Sequence, residues 1–305
     1  MTRPSAAVFA YHDVGVRCLR ALLAADFDVR LVVTHADDPG ETRWFDSVAE
    51  LARDLDLPCM TPGAGDDPAV LERLRPAPPD FVFSFYYRHL LPDAVILAAS
   101  RGALNMHGSL LPRYRGRAPV NWAVLHGETE TGATLHYMVA RADAGDIVDQ
   151  MAVPILPDDT AAEVMRKVTV AAEIVLVRSL PALVAGTAPR RPQRIEPGQY
   201  FGRRGPEDGR IDWRRPALEV HNLVRAVAPP FPGAFTDLTD GRVWIHATRL
   251  APGIGAPSTS TGFFERAGRC YALCGDGTVL EVRAAADANG PLAPTALTRR
   301  SPNRK

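Results

Sequence analysis

Asn105 and His107 stand two residues apart at the end of the short apolar run "GALNMH", and Asp143 follows in the small-residue stretch "ARADAGD". On a strand, side chains two residues apart point to the same face, so an amide and an imidazole there can reach one reacting atom. A turn of small residues can hold a carboxylate against the backbone without crowding it. An imidazole hydrogen-bonded to a carboxylate has its tautomer fixed and its protonated form stabilised, and a neighbouring amide can hold a developing oxyanion. The set suits direct attack of a substrate nucleophile on an acyl carbon, because an imidazole with an unperturbed pKa of about 6.5 can take up and return a proton near neutrality. No covalent nucleophile accompanies it: Ser109 lies in "HGSLLP", without the strand-to-helix elbow of a serine hydrolase. A histidine at a strand end is more often structural than catalytic, so spacing alone leaves both roles open.

The elements that must carry these residues follow from the hydrophobic pattern. "AAVFAY", "VRLVVTH", "PCMTP", "DFVFSFYY" and "GALNMH" read as short buried strands. Between them, "VRCLRALLAAD", with Val16, Leu19, Leu22 and Leu23 at helical spacing, "SVAELARDLDL" and "AVLERLR" read as helices, with another near residues 92–100. Strands alternating with helices give a parallel sheet covered on both faces, whose ligands sit beyond the carboxyl ends of its strands. "ATLHYMV" and "DIVDQMAVPI" extend it antiparallel, and residues 160–186 form one long amphipathic helix. No Gly-x-Gly-x-x-Gly follows the first strand, which removes the support for a dinucleotide-binding dehydrogenase. The Pro-, Arg- and Gly-rich stretch 187–209 holds the domain link; beyond it come a helix, "ALEVHNLVRAVA", and turn-separated strands. The expected architecture is α/β: a Rossmann-like domain over residues 1–200 with a mainly parallel sheet, a small β-rich domain of open-barrel, OB-like type over 201–295, and a flexible tail over 296–305.

Composition bounds the function. Lys plus Arg and Asp plus Glu both number 35, a net charge of zero that argues against a chain devoted to nonspecific nucleic-acid or membrane attraction. Four scattered cysteines, Cys18, Cys59, Cys270 and Cys274, make neither a disulfide framework nor a zinc pattern and read as reduced thiols of a cytoplasmic protein. No signal peptide and no run of eighteen apolar residues points to the membrane, and no metal site is expected.

The run "NMHGSLLPRYRGRAPVNWAVLHGETETGATLHYMVARADAGDIV" resembles the hallmark of the folate-dependent formyltransferases. That resemblance implies Asn105, His107 and Asp143 as the catalytic trio and 10-formyltetrahydrofolate as co-substrate. "VFAYHDVG", "THADDPGE", "FSFYYRHLL", "FGRR" and "HNLVRAVAPPFPGAF" are similar to the formyltransferase half of the bifunctional polymyxin-resistance enzymes, which formylate UDP-4-amino-4-deoxy-L-arabinose for lipid A modification. By matching position His89, Leu90, Leu91, Arg117 and the run Val139, Ala140, Arg141, Ala142 and Asp143 would hold the folate. Tyr11, Arg203 and Arg204 would face the nucleotide sugar. The decarboxylase domain of those bifunctional enzymes has no counterpart in these 305 residues, so formylation alone is expected. The alternatives are another nucleotide-linked amino sugar and methionyl-tRNA, the latter supported by the Arg-rich residues 190–215 and opposed by overall neutrality. A homo-oligomer is an open option.

Overall fold

The computed structural model describes residues 3–37, 43–198, 200–257 and 262–300. The chain divides into two compact units, one of Met1–Pro119, Thr131–Val153 and Arg166–Phe201, the other of Val120–Glu130, Pro154–Met165 and Gly202–Lys305.

The first unit begins with β1 (Ser5–Ala10), α1 (His12–Ala24), β2 (Asp28–Val33), α2 (Val48–Asp54), β3 (Cys59–Met60), α3 (Pro68–Leu74), β4 (Phe81–Phe85), α4 (Asp93–Ile96) and β5 (Gly102–His107). After β6 (Arg115–Gly116), and apart from α5 (Pro119–Leu125), which falls in the second unit from Val120 on, come β7 (Glu130–Tyr137), β8 (Ile147–Pro154), the long helix α6 (Ala161–Ala185), counted with this unit from Arg166, and β9 (Tyr200–Phe201). The main sheet has seven strands in the order β3-β2-β1-β4-β5-β7-β8. β1 pairs parallel with both β2 and β4, so every residue of "SAAVFA" is buried and the run shows no alternation. β4 pairs parallel with β5, which in turn pairs antiparallel with β7. Phe81, Phe83 and Phe85 of β4 are all under 2% exposed, and each such side chain contributes on the order of 2–3 kcal/mol of burial. Strand order reverses between β1 and β4, the switch point where doubly wound sheets open a crevice at their carboxyl ends.

Caps set the helix starts. Ser47 accepts the Glu50 N–H at 3.1 Å for α2, and Asp67 accepts the Ala69 N–H at 3.0 Å ahead of Pro68 for α3. At α1 the place of a fingerprint glycine is taken by His12 with φ +67°. Its ring is stacked on Phe45 at 4.3 Å, and its Nδ1 is buried without a hydrogen-bond partner. Burial, then the Arg88 charge, pulls the His12 pKa down to about 4.

The second unit adds α7 (Ala217–Val227), β10 (Ala234–Leu238), β11 (Gly241–Leu250), β12 (Gly262–Arg266), β13 (Arg269–Leu273), β14 (Val279–Asp287) and β15 (Gly290–Leu292). Its sheet runs β10-β11-β14-β13-β12 with β15 on β14, all antiparallel, and α7 packs on β11. Its core holds Val243, Ile245 and Leu280, each with 0% exposure. Within the stretch expected to be a flexible tail, Pro294–Arg299 forms a 3-10 turn with Leu297 fully buried, because an apolar side chain there has a core to enter. Residues 301–305 lie outside the described residues.

Cys18, Cys270 and Cys274 are buried thiols and Cys59 is exposed; burial pushes Cys270 and Cys274 up to about 12. Helix α6 is long and apolar enough to cross a membrane by length and composition, with a window of mean hydropathy 1.8. Half of that window is buried within the fold.

Candidate active site

Strand β5 delivers Asn105 and His107 as its alternation predicts, and both side chains meet the carboxylate of Asp143. Asn105 Nδ2 lies 3.4 Å and His107 Nδ1 3.6 Å from Asp143 Oδ1. Asp143 sits in the loop between β7 and β8 with φ +52°. Its Oδ2 accepts the backbone N–H of Gly116 at 2.9 Å. Gly116 has φ +99°, and a Cβ there would lie 2.3 Å from the Phe201 carbonyl, which fixes glycine at the point where β6 and β9 run side by side. Gly145 is held for the same reason, its missing Cβ falling 1.9 Å from the Tyr137 carbonyl.

The hydrogen bonds assign the atoms. His107 Nε2 is 2.8 Å from the Tyr114 carbonyl, which can only accept, so Nε2 carries a proton and Nδ1 faces Asp143. The backbone carbonyl therefore orients the ring, while Asp143 acts on it through charge at 3.6 Å. Composition around the trio did not single out His136, the third contact of Asp143. Its Nδ1 donates to the Tyr137 carbonyl at 2.9 Å, which leaves Nε2 to accept from Asn105 Nδ2 at 3.1 Å. The sequence signal was the antiparallel register, which sets Asn105 opposite His136. One N–H of Asn105 is thus held by His136, and the other, held loosely by Asp143, is the one available to a developing oxyanion.

Burial of Asp143 would raise its pKa, but the imidazoles of His107 and His136 that face it and the Gly116 N–H outweigh burial and hold the carboxyl well below the usual carboxylate range. Ser109, fully buried, spends its hydroxyl on the Arg113 carbonyl at 2.6 Å, as a non-nucleophile would.

The other sequence-derived residues fall into separate groups. Leu90 is 76% exposed and Val139 46% exposed, two large apolar side chains on irregular segments. His89 reaches a ring cluster at the switch point: His35 is 4.9 Å from His89, stacked on Tyr87 at 4.4 Å and edge-on to Tyr11 at 5.0 Å. Leu91 packs on the core, Ala140 and Arg141 are exposed and Ala142 half-buried. The exposed Arg117 side chain makes no hydrogen bond or ion pair among the described residues, and its backbone N–H donates to Phe201 at 2.9 Å. Arg203 and Arg204 belong to the second unit, where Arg204 lies over Trp122 at 4.8 Å and donates to the Asp208 carbonyl. Among the described residues no group of three or more His, Cys, Asp or Glu could hold a metal ion.

Residues 12–180 match the formyl transferase family model, and residues 204–297 match the model of the formyl transferase C-terminal domain. The chain belongs to the formyl transferase family.

Solved structures share this formyltransferase fold. An N-formyltransferase from Helicobacter canadensis, crystallised with folinic acid and dTDP-3-aminofucose, superposes with a TM-score of 0.70 at 19% identity over 92% of this chain and 99% of that one. WlaRD, a sugar 3N-formyltransferase solved in the presence of dTDP and 5-N-formyl-THF, gives 0.71 at 20% identity over 93% and 98%. HypX from Aquifex aeolicus with tetrahydrofolic acid gives 0.65 at 17% identity, over 97% of this chain and 47% of that one.

Proposed function

We propose that this cytoplasmic enzyme transfers a formyl group from 10-formyltetrahydrofolate to the primary amine of a UDP-4-amino sugar, UDP-4-amino-4-deoxy-L-arabinose being the acceptor its sequence segments match. The observation that carries the reading is the convergence of Asn105, His107 and Asp143, with Asn105 Nδ2 and His107 Nδ1 both within 3.6 Å of one oxygen of a largely enclosed carboxylate. Neighbours crystallised with folates and dTDP or a dTDP-linked amino sugar support the pair of substrates.

10-Formyltetrahydrofolate supplies a carbonyl carbon bonded to a nitrogen that leaves with a proton. On the protein side, His107 in its neutral form offers the Nδ1 lone pair for the proton that the amine loses as its C–N bond forms. The imidazolium so made is stabilised by Asp143 and the Tyr114 carbonyl and returns the proton to the leaving nitrogen. Asn105 Nδ2 holds the negative charge that develops on the carbonyl oxygen. The exposed Leu90 and Val139 would cover the folate ring, with backbone groups of His89–Leu91 and Val139–Ala142 reading its edges. Arg117 would meet its carboxylate, and Tyr11, Arg203 and Arg204 would serve the nucleotide sugar.

Ion pairs take up part of the charge that tRNA would need. Within the Arg-rich stretch, Arg210 is paired with Asp237 at 2.6 Å, Arg214 with Asp212 at 2.8 Å and Arg215 with Glu219 at 2.8 Å, so these three of its eight arginines are balanced by carboxylates, and the parallel tRNA assay decides on the rest. The test is formyl transfer read by mass spectrometry with UDP-4-amino-4-deoxy-L-arabinose, dTDP-linked amino sugars and methionyl-tRNA as parallel acceptors. Modification of the UDP sugar is the expected result. Modification of tRNA alone would overturn the acceptor assignment.

A further inference from the structure

The stretch after α6 is more than a connection. Arg190 lays its guanidinium 3.7 Å above the Tyr137 ring. Arg191 exchanges both backbone hydrogen bonds with Ile147, at 2.8 and 3.0 Å. Gln193 Nε2 then donates to two carbonyls of the catalytic loop, Gly145 at 2.7 Å and Asp143 itself at 3.1 Å. Seven residues on, Tyr200–Phe201 pairs with Arg115–Gly116, the strand whose Gly116 N–H holds the Asp143 carboxylate.

Asp143 is therefore gripped at both ends, its carboxylate from one side and its main-chain carbonyl from the other. The second grip matters because φ +52° is uncommon for a residue with a Cβ, and Asp, though more tolerant of it than most, gains from contacts that fix it there. Both N–H groups of one amide are spent on the two carbonyls that bracket the turn, and Gln193 Oε1 is buried without a hydrogen-bond partner. That donor pattern, two N–H groups on one nitrogen with a neutral side chain, belongs only to Asn and Gln, and Gln has the longer reach.

The geometry points to Gln193 as a positioning residue for formyl transfer: its amide fixes the turn that sets Asp143 against His107. This rests on the proposed reaction. The role is one of hydrogen-bond donation rather than of filling space, and that distinction is testable. Glu has the shape of Gln but only accepts when ionised, so Gln193→Glu sets a carboxylate against two carbonyls; once protonated it regains a single O–H donor.

Three proteins, the wild type, Gln193→Ala and Gln193→Glu, are compared for kcat and KM across pH with the amino sugar and 10-formyltetrahydrofolate. Gln193→Ala should lose about tenfold or more in kcat, the scale of a small misplacement in a catalytic group, with KM for the sugar within about twofold. Above neutral pH, Gln193→Glu should be no better than Gln193→Ala, and relative to the wild type it should recover as pH falls and its carboxyl protonates. Wild-type kcat in Gln193→Ala, or a Gln193→Glu enzyme that outperforms it above neutral pH, overturns the assignment. If the wild type formylates no acceptor, the proposed function fails, and hydrogen exchange of residues 139–146 in the same three proteins still decides on Gln193. Faster exchange in both variants supports the grip, and unchanged exchange removes it.

Discussion

Asp143 keeps a negative charge although its side chain is only 14% exposed, because two imidazoles and one backbone N–H face it. Its folded pKa is depressed, so the stabilisation it gives is present above the unfolded carboxylate range and is lost only as pH falls through the folded value. At neutral and mildly acidic pH it stays charged. Replacing it by Asn keeps the acceptor for Gly116 but removes the charge that stabilises the His107 imidazolium. Asp143→Asn should lose about 10²- to 10⁴-fold in kcat with its circular dichroism unchanged, measured by formyl transfer under saturating substrates. At this scale the shared face of Asn105 and His107 was legible from their spacing on a strand, while the role of the trio with Asp143 rested on the resemblance. His136 was not legible, since only the pairing of β5 with β7 reveals that it buttresses Asn105. Nor was the Tyr114 carbonyl, because backbone acceptors leave no mark in a sequence.

The elements show why the loop positions are intolerant. β6 and β9 are two residues each, and their pairing depends on Gly116, whose backbone both approaches Phe201 and donates to Asp143. Gly116→Ala must displace Phe201 or abandon φ +99°. We expect a loss of about 1–3 kcal/mol in urea unfolding, accompanied by a fall in kcat, whereas Gly186→Ala, with nothing near its absent Cβ, should cost less than Gly116→Ala and leave kcat unchanged. The alternation of buried strands and amphipathic helices made the parallel sheet readable. Short pairs such as β6 with β9 were invisible: two-residue strands carry no periodicity, and their partners lie more than eighty residues apart. The same reason hid the strap of residues 187–201, whose Pro and Arg content reads as linker.

For the molecule as a whole, pH dependence of stability should come from His35, pulled down to about 4 by burial, and from the more deeply buried His12. Its folded pKa of about 4 lies below the unfolded imidazole value, so the unfolded chain binds the proton first and stability falls as pH drops from about 6.5 to about 4. Arg88 disfavours its charge and Asp13, 4.0 Å away, offsets little of the burial. The loss from His12 amounts to roughly 3 kcal/mol at most, and His12→Phe, which keeps the stacking on Phe45, should shrink the fall of urea midpoints over that window, with His35 accounting for what remains. The antiparallel β unit after α7 was legible from its turn-separated strands, while the burial of Leu297 was not, because one apolar residue in a polar tail has no pattern. The account as a whole stands on an imidazole that moves the proton of formyl transfer. Its most direct test is the turnover of His107→Ala beside the wild type with 10-formyltetrahydrofolate and the UDP-4-amino sugar, both proteins first shown to be folded. A fall of at least about 10²-fold is predicted. Turnover equal to the wild type would contradict the account at its centre.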